Sequence, residues 1–310
     1  MVTTDHVRKT PRMGGRATGI RSLATYVPPR LLTNADLELM VETTDEWILQ
    51  RTGIRERHIV DPGVATSDLG TEAAKKAIAN AGLTPDDIGV IIVGTVTPDM
   101  FFPSTACLIQ HKIGARNAWG FDLSAACSAF TYALTAASQL VASGAHDHAL
   151  VVGADVMSSI IDYKDRATCV LFGDGAGAVV VSAAAAGAPS ILDFEHEIDG
   201  GGGGALCMPA GGSAKPSSHD TVNQRLHYVK QDGQTVFKFA VRKTEEVARR
   251  LLERNGLTPA DIDLFVSHQA NRRIIQAATE KLGMPPEKVI INIERFGNTT
   301  AATIPLALND

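Results

Sequence analysis

The apolar positions of this chain fall into two recurring patterns. Continuous runs rich in β-branched residues, Ile88 to Thr95 and Ala149 to Val156, predict strands buried on both faces. Runs with helical spacing predict amphipathic helices over Thr71 to Ala81, Thr105 to Ile113, Phe237 to Asn255, Arg272 to Leu282 and Ala301 to Leu308. Thr18 to Thr25 suits a short strand. Leu171 to Val181 reads as strand, glycine turn, strand. Short strands are predicted at Leu264 to Ser267 and Val289 to Ile293. Helix starts are signalled at Thr33-Asn34 and at Thr44-Asp45-Glu46-Trp47 by capping residues ahead of apolar ones.

The pattern repeats. Thr71 to Thr95 reads TEAAKKAIANAGLTPDDIGVIIVGT, and Thr244 to Gln269 reads TEEVARRLLERNGLTPADIDLFVSHQ. Each is an amphipathic helix, a Gly-Leu-Thr-Pro-x-Asp-Ile turn and a buried strand, with one residue inserted. A duplicated α/β unit follows, each half expected to hold a mainly parallel sheet. Continuing both halves pairs helix 105–113 with helix 272–282, and the strand before Cys127 with Val289 to Ile293. Cys127 then has a counterpart loop at Phe296-Gly297-Asn298-Thr299-Thr300, and a pseudo-dyad would bring the two loops together.

Composition narrows the class. The 310 residues are 45% hydrophobic and carry a net charge of −5, so nothing points to nucleic acid. No apolar run is long enough to span a membrane. The four cysteines lack metal or redox spacing and read as reduced thiols of a cytoplasmic protein. Residues 1–16 are expected to form a disordered tail, followed by halves at 17–188 and 189–310.

Candidate chemistry concentrates where the repeat predicts convergence. Cys127 sits between a strand-like segment and the apolar run Phe130 to Val141. Unpaired N–H groups at a helix start favour thiolate, the nucleophilic form; a small buried cysteine packed like alanine fits the stretch equally well. His268 ends the predicted second-half strand, and Asn298 precedes the last helix; each alone also reads as an ordinary structural residue. Trp47 and Arg51, four apart on one helical face, could hold a flat base, or form a core Trp beside a surface Arg. The adjacent Phe101 and Phe102 need cover from a pocket or a neighbouring subunit.

A Cys, a His and an Asn in one pocket resemble the active site of thiolase-fold condensing enzymes. Thr33-Asn34-Ala35-Asp36-Leu37, Thr44-Asp45-Glu46-Trp47-Ile48, Arg51 to Arg57, Asp122 to Ser128, Phe172 to Gly177, His268 to Ile274 and Gly297-Asn298-Thr299 are similar to the β-ketoacyl-acyl carrier protein synthase III family. The resemblance runs from about Ala17 to the last residue. It implies a five-layer αβαβα thiolase-like fold. It also implies a decarboxylative condensation of an acyl-CoA primer, acetyl-CoA above all, with malonyl-ACP. The products are 3-oxoacyl-ACP, CO2 and CoA, and no cofactor or metal is needed. A starter-unit enzyme of secondary metabolism and a non-catalytic carrier-binding scaffold are the alternatives.

By the same resemblance Cys127 is the nucleophile, and His268 and Asn298 hold the enolate oxygen. Thr43, Trp47, Arg51, Arg166 and Asn271 bind CoA, with Asn271 along the pantetheine tunnel. Phe102 and Met157 shape the primer pocket, Phe102 from the neighbouring subunit of a homodimer. Lys238 and Arg273 dock the acidic carrier protein, while the other cations of helix 237–255 form an ordinary solvated face. The family pattern continues beyond Ala307-Leu308 into a last strand pair with a Gly-rich turn. A molecule ending at Asp310 is therefore expected to be poorly stable and weakly active.

Overall fold

The computed structural model of the chain describes residues 15–310. The expected tail lies outside the described residues except for Gly15 and Arg16. Arg16 is tied down: its backbone N–H donates to the Ala142 carbonyl, and its guanidinium donates to the Val141 carbonyl and to Asp147.

One five-stranded sheet forms the first half. Its strands are β1 (Thr18–Tyr26), β2 (Val90–Gly94), β3 (Trp119–Leu123), β4 (His148–Asp155) and β5 (Gly175–Ala183), in the spatial order β1-β5-β4-β2-β3. β2 pairs in parallel with β3 and β4, while β5 runs antiparallel to β4 and β1. Strand alternation explains the uniformly apolar run at β2. Ile91 and Val93 pack with Leu69 and Ile78 of helix α2 (Thr66–Asn80), and Val90 and Ile92 pack with Phe130 and Ala133 of helix α4 (Ala129–Ala142). Helix α3 (Thr105–Ile113) lies beside α2. α2 begins five residues before the predicted start, because the Asp68 carboxylate accepts the Ala65 N–H and caps an earlier turn.

The duplication is visible in backbone detail. Gly82 and Gly256 both take positive φ, 67° and 66°. The next threonine in each copy caps its turn in one way. The N–H and hydroxyl of Thr84 donate to Asp87, and those of Thr258 donate to Asp261, all at 2.7–2.8 Å. The long second-half helix α5 (Gly233–Arg254) is followed by α6 (Arg272–Leu282), as α2 is by α3. Ala126 and Thr300, both non-glycine residues at positive φ (45° and 52°), each open a 3₁₀ turn that feeds the next helix, α4 in one half and α7 (Thr303–Leu308) in the other. Cys127 is thus the structural counterpart of Ala301.

The second half departs from the expected parallel ladder. Among the described residues, segments 264–267 and 289–292 meet through one parallel bridge, Phe265 to Val289. Phe265 N–H donates to Lys288 O, and Ile290 N–H to Phe265 O. Beyond that point the buried Gln269 side chain takes the place of ladder bonds. It donates to the Ser267 and Ile290 carbonyls and accepts the Asn292 N–H. Residues 293–296 form a helical turn instead of extending the strand. Leu171 to Val181 also differs from its prediction. Phe172 makes a single parallel bridge with Asn298, and one continuous strand starts at Gly175.

Candidate active site

Between the central helix α4 and the α5–α6 pair runs a groove of about 1320 Å³ whose wall includes Cys127, His268 and Asn298. The three expected groups therefore share one cavity. Each is delivered by the end of an element. Cys127 follows β3 on the strained turn at Ala126. His268 follows the 264–267 segment. Asn298 is held along the segment 171–173: its N–H donates to Leu171 O at 2.8 Å, and its own carbonyl accepts Gly173 N–H at 3.1 Å.

Close approach makes this convergence possible. A Cβ on Gly153 would sit 2.3 Å from the Ala301 carbonyl oxygen, so only glycine in β4 lets the second-half loop rest on the first-half sheet. Next to it the fully buried Asp155 joins the halves. Its Oδ1 accepts from Thr95 and Thr97 hydroxyls and from Val96 N–H, and its Oδ2 accepts Ala301 N–H at 3.0 Å. Burial raises the Asp155 carboxyl to about 6 despite these donors.

One polar end of each of the two second-half side chains is unpaired among the described residues. Asn298 Oδ1 accepts Thr300 N–H at 2.9 Å, which fixes the amide with its NH2 free of protein partners among the described residues. His268 Nδ1 lies 2.6 Å from Thr303 Oγ1, and its Nε2 is buried without a partner. Although His268 keeps some surface on the groove, the dense surroundings lower its imidazole to about 4, so it is neutral at pH 7.

Cys127 corrects the expectation of a helix-start thiolate. Burial first, and the Asp155 carboxylate second, push its thiol up to about 12; the backbone N–H works the other way and loses. The reason is geometric. Cys127 lies within a single 3₁₀ turn, with α4 beginning two residues later, so it gains little from the helix dipole, while the dense packing around its half-buried side chain disfavours charge. The resting group is a thiol.

The remaining predicted residues fall in several places. Trp47, on α1 (Asp45–Thr52), lies on the groove wall with Arg51 and Arg166, whose guanidiniums sit 5.5 Å and 4.8 Å from the indole centroid. Arg166 also donates to the Glu42 carbonyl. Thr43 is off the wall, its hydroxyl buried and unpaired. Asn271 lines the groove, but its carboxamide is already used: it caps α6 through Arg273 N–H and donates to Arg51 O at 3.0 Å. This departs from a free tunnel carboxamide, because the same side chain must close the helix start. Met157 is packed in the apolar cluster with Leu32, Leu37 and Ile161, away from the groove wall. Phe101 and Phe102 are 84% and 85% exposed.

The cations of α5 do not form the plain solvated face expected of them, because the acidic segment 193–197 packs on the helix and pairs with several. Lys243 pairs with Glu197 and Glu246, Arg250 with Glu195 and Glu197, and Arg254 with Asp193 and Glu195. Lys238 and Arg273 make no ion pair among the described residues, and Arg273 rests on the Phe237 ring. Reading the sequence missed Asp155 and Thr303. An aspartate closing an otherwise apolar strand was a signal for the first; nothing local marked the second.

Comparison with known proteins gives the family. Profiles described as 3-Oxoacyl-[acyl-carrier-protein (ACP)] synthase III and its C-terminal region match residues 121–200 and 252–310. The β-ketoacyl-[acyl-carrier-protein] synthase III of Koribacter versatilis is 58% identical over 94% of this chain and 88% of its own. The chain belongs to the β-ketoacyl-acyl carrier protein synthase III family. Among solved structures, 3-oxoacyl-(acyl carrier protein) synthase III from Pseudomonas aeruginosa superposes with a TM-score of 0.87 at 39% identity, covering 95% of this chain and 88% of that one. The priming β-ketosynthase of the R1128 polyketide pathway matches with a TM-score of 0.87 at 38% identity, over 96% and 89%. The synthase III family is one of condensing, acyl-transferring enzymes, and its fold is the thiolase-like one observed here.

Proposed function

We propose that this synthase joins an acyl-CoA primer, acetyl-CoA above all, to malonyl-ACP, releasing CoA and CO2 and giving 3-oxoacyl-ACP as the first step of fatty-acid synthesis. The observation that carries the residue assignment is the pair of unpaired groups, His268 Nε2 and Asn298 Nδ2, on one wall with the Cys127 thiol.

In the first half-reaction the Cys127 sulfur attacks the thioester carbonyl. A thiol pushed to about 12 beside an imidazole lowered to about 4 holds its proton at rest, so that proton is given up only as the sulfur attacks, with the His268 imidazole of the same cavity to relay it. The carbon–sulfur bond to CoA breaks, and the proton leaves on the CoA sulfur. In the second, malonyl-ACP loses CO2, and the electron pair of the broken bond becomes an enolate on the thioester oxygen. Asn298 Nδ2–H and His268 Nε2–H donate to that oxygen. The carbanion then attacks the acyl-enzyme carbonyl, the bond from that carbon to sulfur breaks, and Cys127 leaves as a thiolate that takes a proton from water to restore the resting thiol.

Trp47 and Arg166 offer two flat faces for the CoA adenine, with Arg51 beside them. Lys238 and Arg273, cations of α5 and α6 that make no ion pair among the described residues, receive the acidic carrier. The exposed Phe pair suits a homodimer in which each Phe102 closes the partner's primer pocket, in a cytoplasmic enzyme. Incubation with acetyl-CoA followed by mass spectrometry should find one acetyl group on Cys127. His268→Ala and Asn298→Ala should keep that adduct in part and lose malonyl decarboxylation by a factor of about 100 or more. Absence of an adduct on Cys127, or full decarboxylation in both variants, contradicts the assignment.

A further inference from the structure

Arg57 is the largest side chain that the described residues bury completely, and it makes no ion pair among them. Burial lowers its pKa only to about 10, so the guanidinium is charged at pH 7. A cation in such a place is costly unless its hydrogen bonds are met. Here neutral oxygens meet them. Arg57 stands opposite Leu32 in a short antiparallel pair, Leu31–Thr33 with Glu56–His58. Its Nη1 donates to Asn34 Oδ1 at 2.7 Å and to the Leu32 carbonyl at 3.4 Å, and its Nη2 donates to the Val170 carbonyl at 2.6 Å. Asn34 is buried and cannot turn away, because its Nδ2 donates to Asp45 and to the Ile54 carbonyl.

The far end of this bridge is the segment that holds Asn298. Val170, Leu171 and Phe172 line the groove beside Asn298, while Arg57 is off its wall. Leu171 O and Gly173 N–H make the two backbone bonds to Asn298. The Arg57 stem backs the same crossing. A Cβ on Gly173 would stand 3.0 Å from Arg57 Cβ, and one on Gly297 would stand 3.3 Å from it. Gly297 takes φ 64° and sets the chain direction into Asn298. With Asn298 Oδ1 tied to Thr300 N–H, the free NH2 can point only where the backbone of 297–298 sends it. That backbone follows 170–173, and Arg57 fixes Val170.

We propose that Arg57 is a positioning residue: its guanidinium, bridging Asn34 and the Val170 carbonyl, sets segment 170–173 and through it the Asn298 amide that donates to the enolate oxygen. The proposal rests on the role assigned to Asn298 above. Two acceptors on separate segments call for the planar fork of a guanidinium, since an ammonium is a single point donor.

The test compares Arg57→Lys, which keeps the charge and loses the fork, with Arg57→Gln, which removes the charge and keeps one amide donor. The readouts are kcat for malonyl-ACP decarboxylation and the rate of Cys127 acetylation at saturating acetyl-CoA. Both variants should slow decarboxylation by about ten- to a hundredfold, the effect of misplacing a reacting group by about 1 Å, while acetylation stays within about twofold. Combining Arg57→Lys with Asn298→Ala should decarboxylate no more slowly than Asn298→Ala alone, because residues acting as a unit are not additive. Wild-type decarboxylation in either variant overturns the proposal. So does an equal fall in acetylation, which would mark a general loss of packing. So does a double variant slowed by the product of the two single effects. Thermal melts show whether each variant is folded; if one is not, the other carries the same outcomes. Asn298→Ala is the reference. If it retains decarboxylation, the underlying assignment fails whatever Arg57 does. If it loses decarboxylation while the Arg57 variants do not, only the Arg57 proposal fails.

Discussion

Cys127 and His268 are set by burial in opposite directions, and the combination defines the resting state as neutral thiol beside neutral imidazole. Two measurements follow. Alkylation of Cys127 should rise about tenfold per pH unit from pH 7 to 9, as expected of a thiol whose pKa lies well above that range; a plateau near neutrality would reveal a preformed thiolate. For His268 the sign runs as for any base depressed on folding. The unfolded imidazole takes a proton below about 6.5 while the folded one refuses it until about 4. Its contribution to stability is therefore complete above pH 6.5 and drains away between 6.5 and 4, by roughly 3 kcal/mol. Ring ¹⁵N shifts should show no imidazolium at position 268 above pH 5, and protonation near pH 6.5 would contradict this. That Cys127, His268 and Asn298 meet on one groove was legible in the sequence, because strand-to-helix junctions and the repeat point at them. Their protonation was not, since desolvation depends on everything packed around a side chain.

At the level of elements, the Gly-Leu-Thr-Pro-x-Asp-Ile turns folded as read, since each encodes its own geometry through a positive-φ glycine and a threonine–aspartate cap. The strands at 264–267 and 289–293 were less legible. Extended conformation needs partners, and here a side-chain amide from Gln269 and a helical turn at 293–296 take the backbone groups instead. Asp155 shows what links the two copies. Five donors converge on this carboxylate, from Thr95, Val96 and Thr97 in one half and Ala301 in the other. Asp155→Asn must turn an N–H toward one of those donors, so it should cost about 1–3 kcal/mol of stability and displace the Asn298 loop. Thermal unfolding and the decarboxylation rate check this together; an unchanged melt would show that the carboxylate is dispensable.

For the whole molecule, charge arrangement outweighs charge total. The net charge is −5, yet Lys238 and Arg273 stand on one groove wall without ion pairs among the described residues, while the segment 193–197 neutralises the cations further along α5. Lys238→Glu should raise KM for malonyl-ACP about tenfold or more while acetylation of Cys127 by acetyl-CoA is unaffected. Equal KM in the two proteins would move the docking face elsewhere. The Phe101–Phe102 pair carries the assembly prediction. Sedimentation should find a dimer for the wild type and a weakened one for Phe102→Asp, and a monomeric wild type would remove the partner from the primer pocket.

The doubled α/β plan, the family, and the choice of which cysteine, histidine and asparagine to watch were all readable along the chain, because periodicity, turn chemistry and long motifs are local properties. Packing in three dimensions determined that Cys127 rests protonated and that His268 Nδ1 meets the Thr303 hydroxyl. It also assigned Asn271 to a helix cap and Met157 to the core. Those outcomes depend on distances between residues remote in sequence and on how much water packing leaves beside them, and neither quantity is written in any single stretch of the chain.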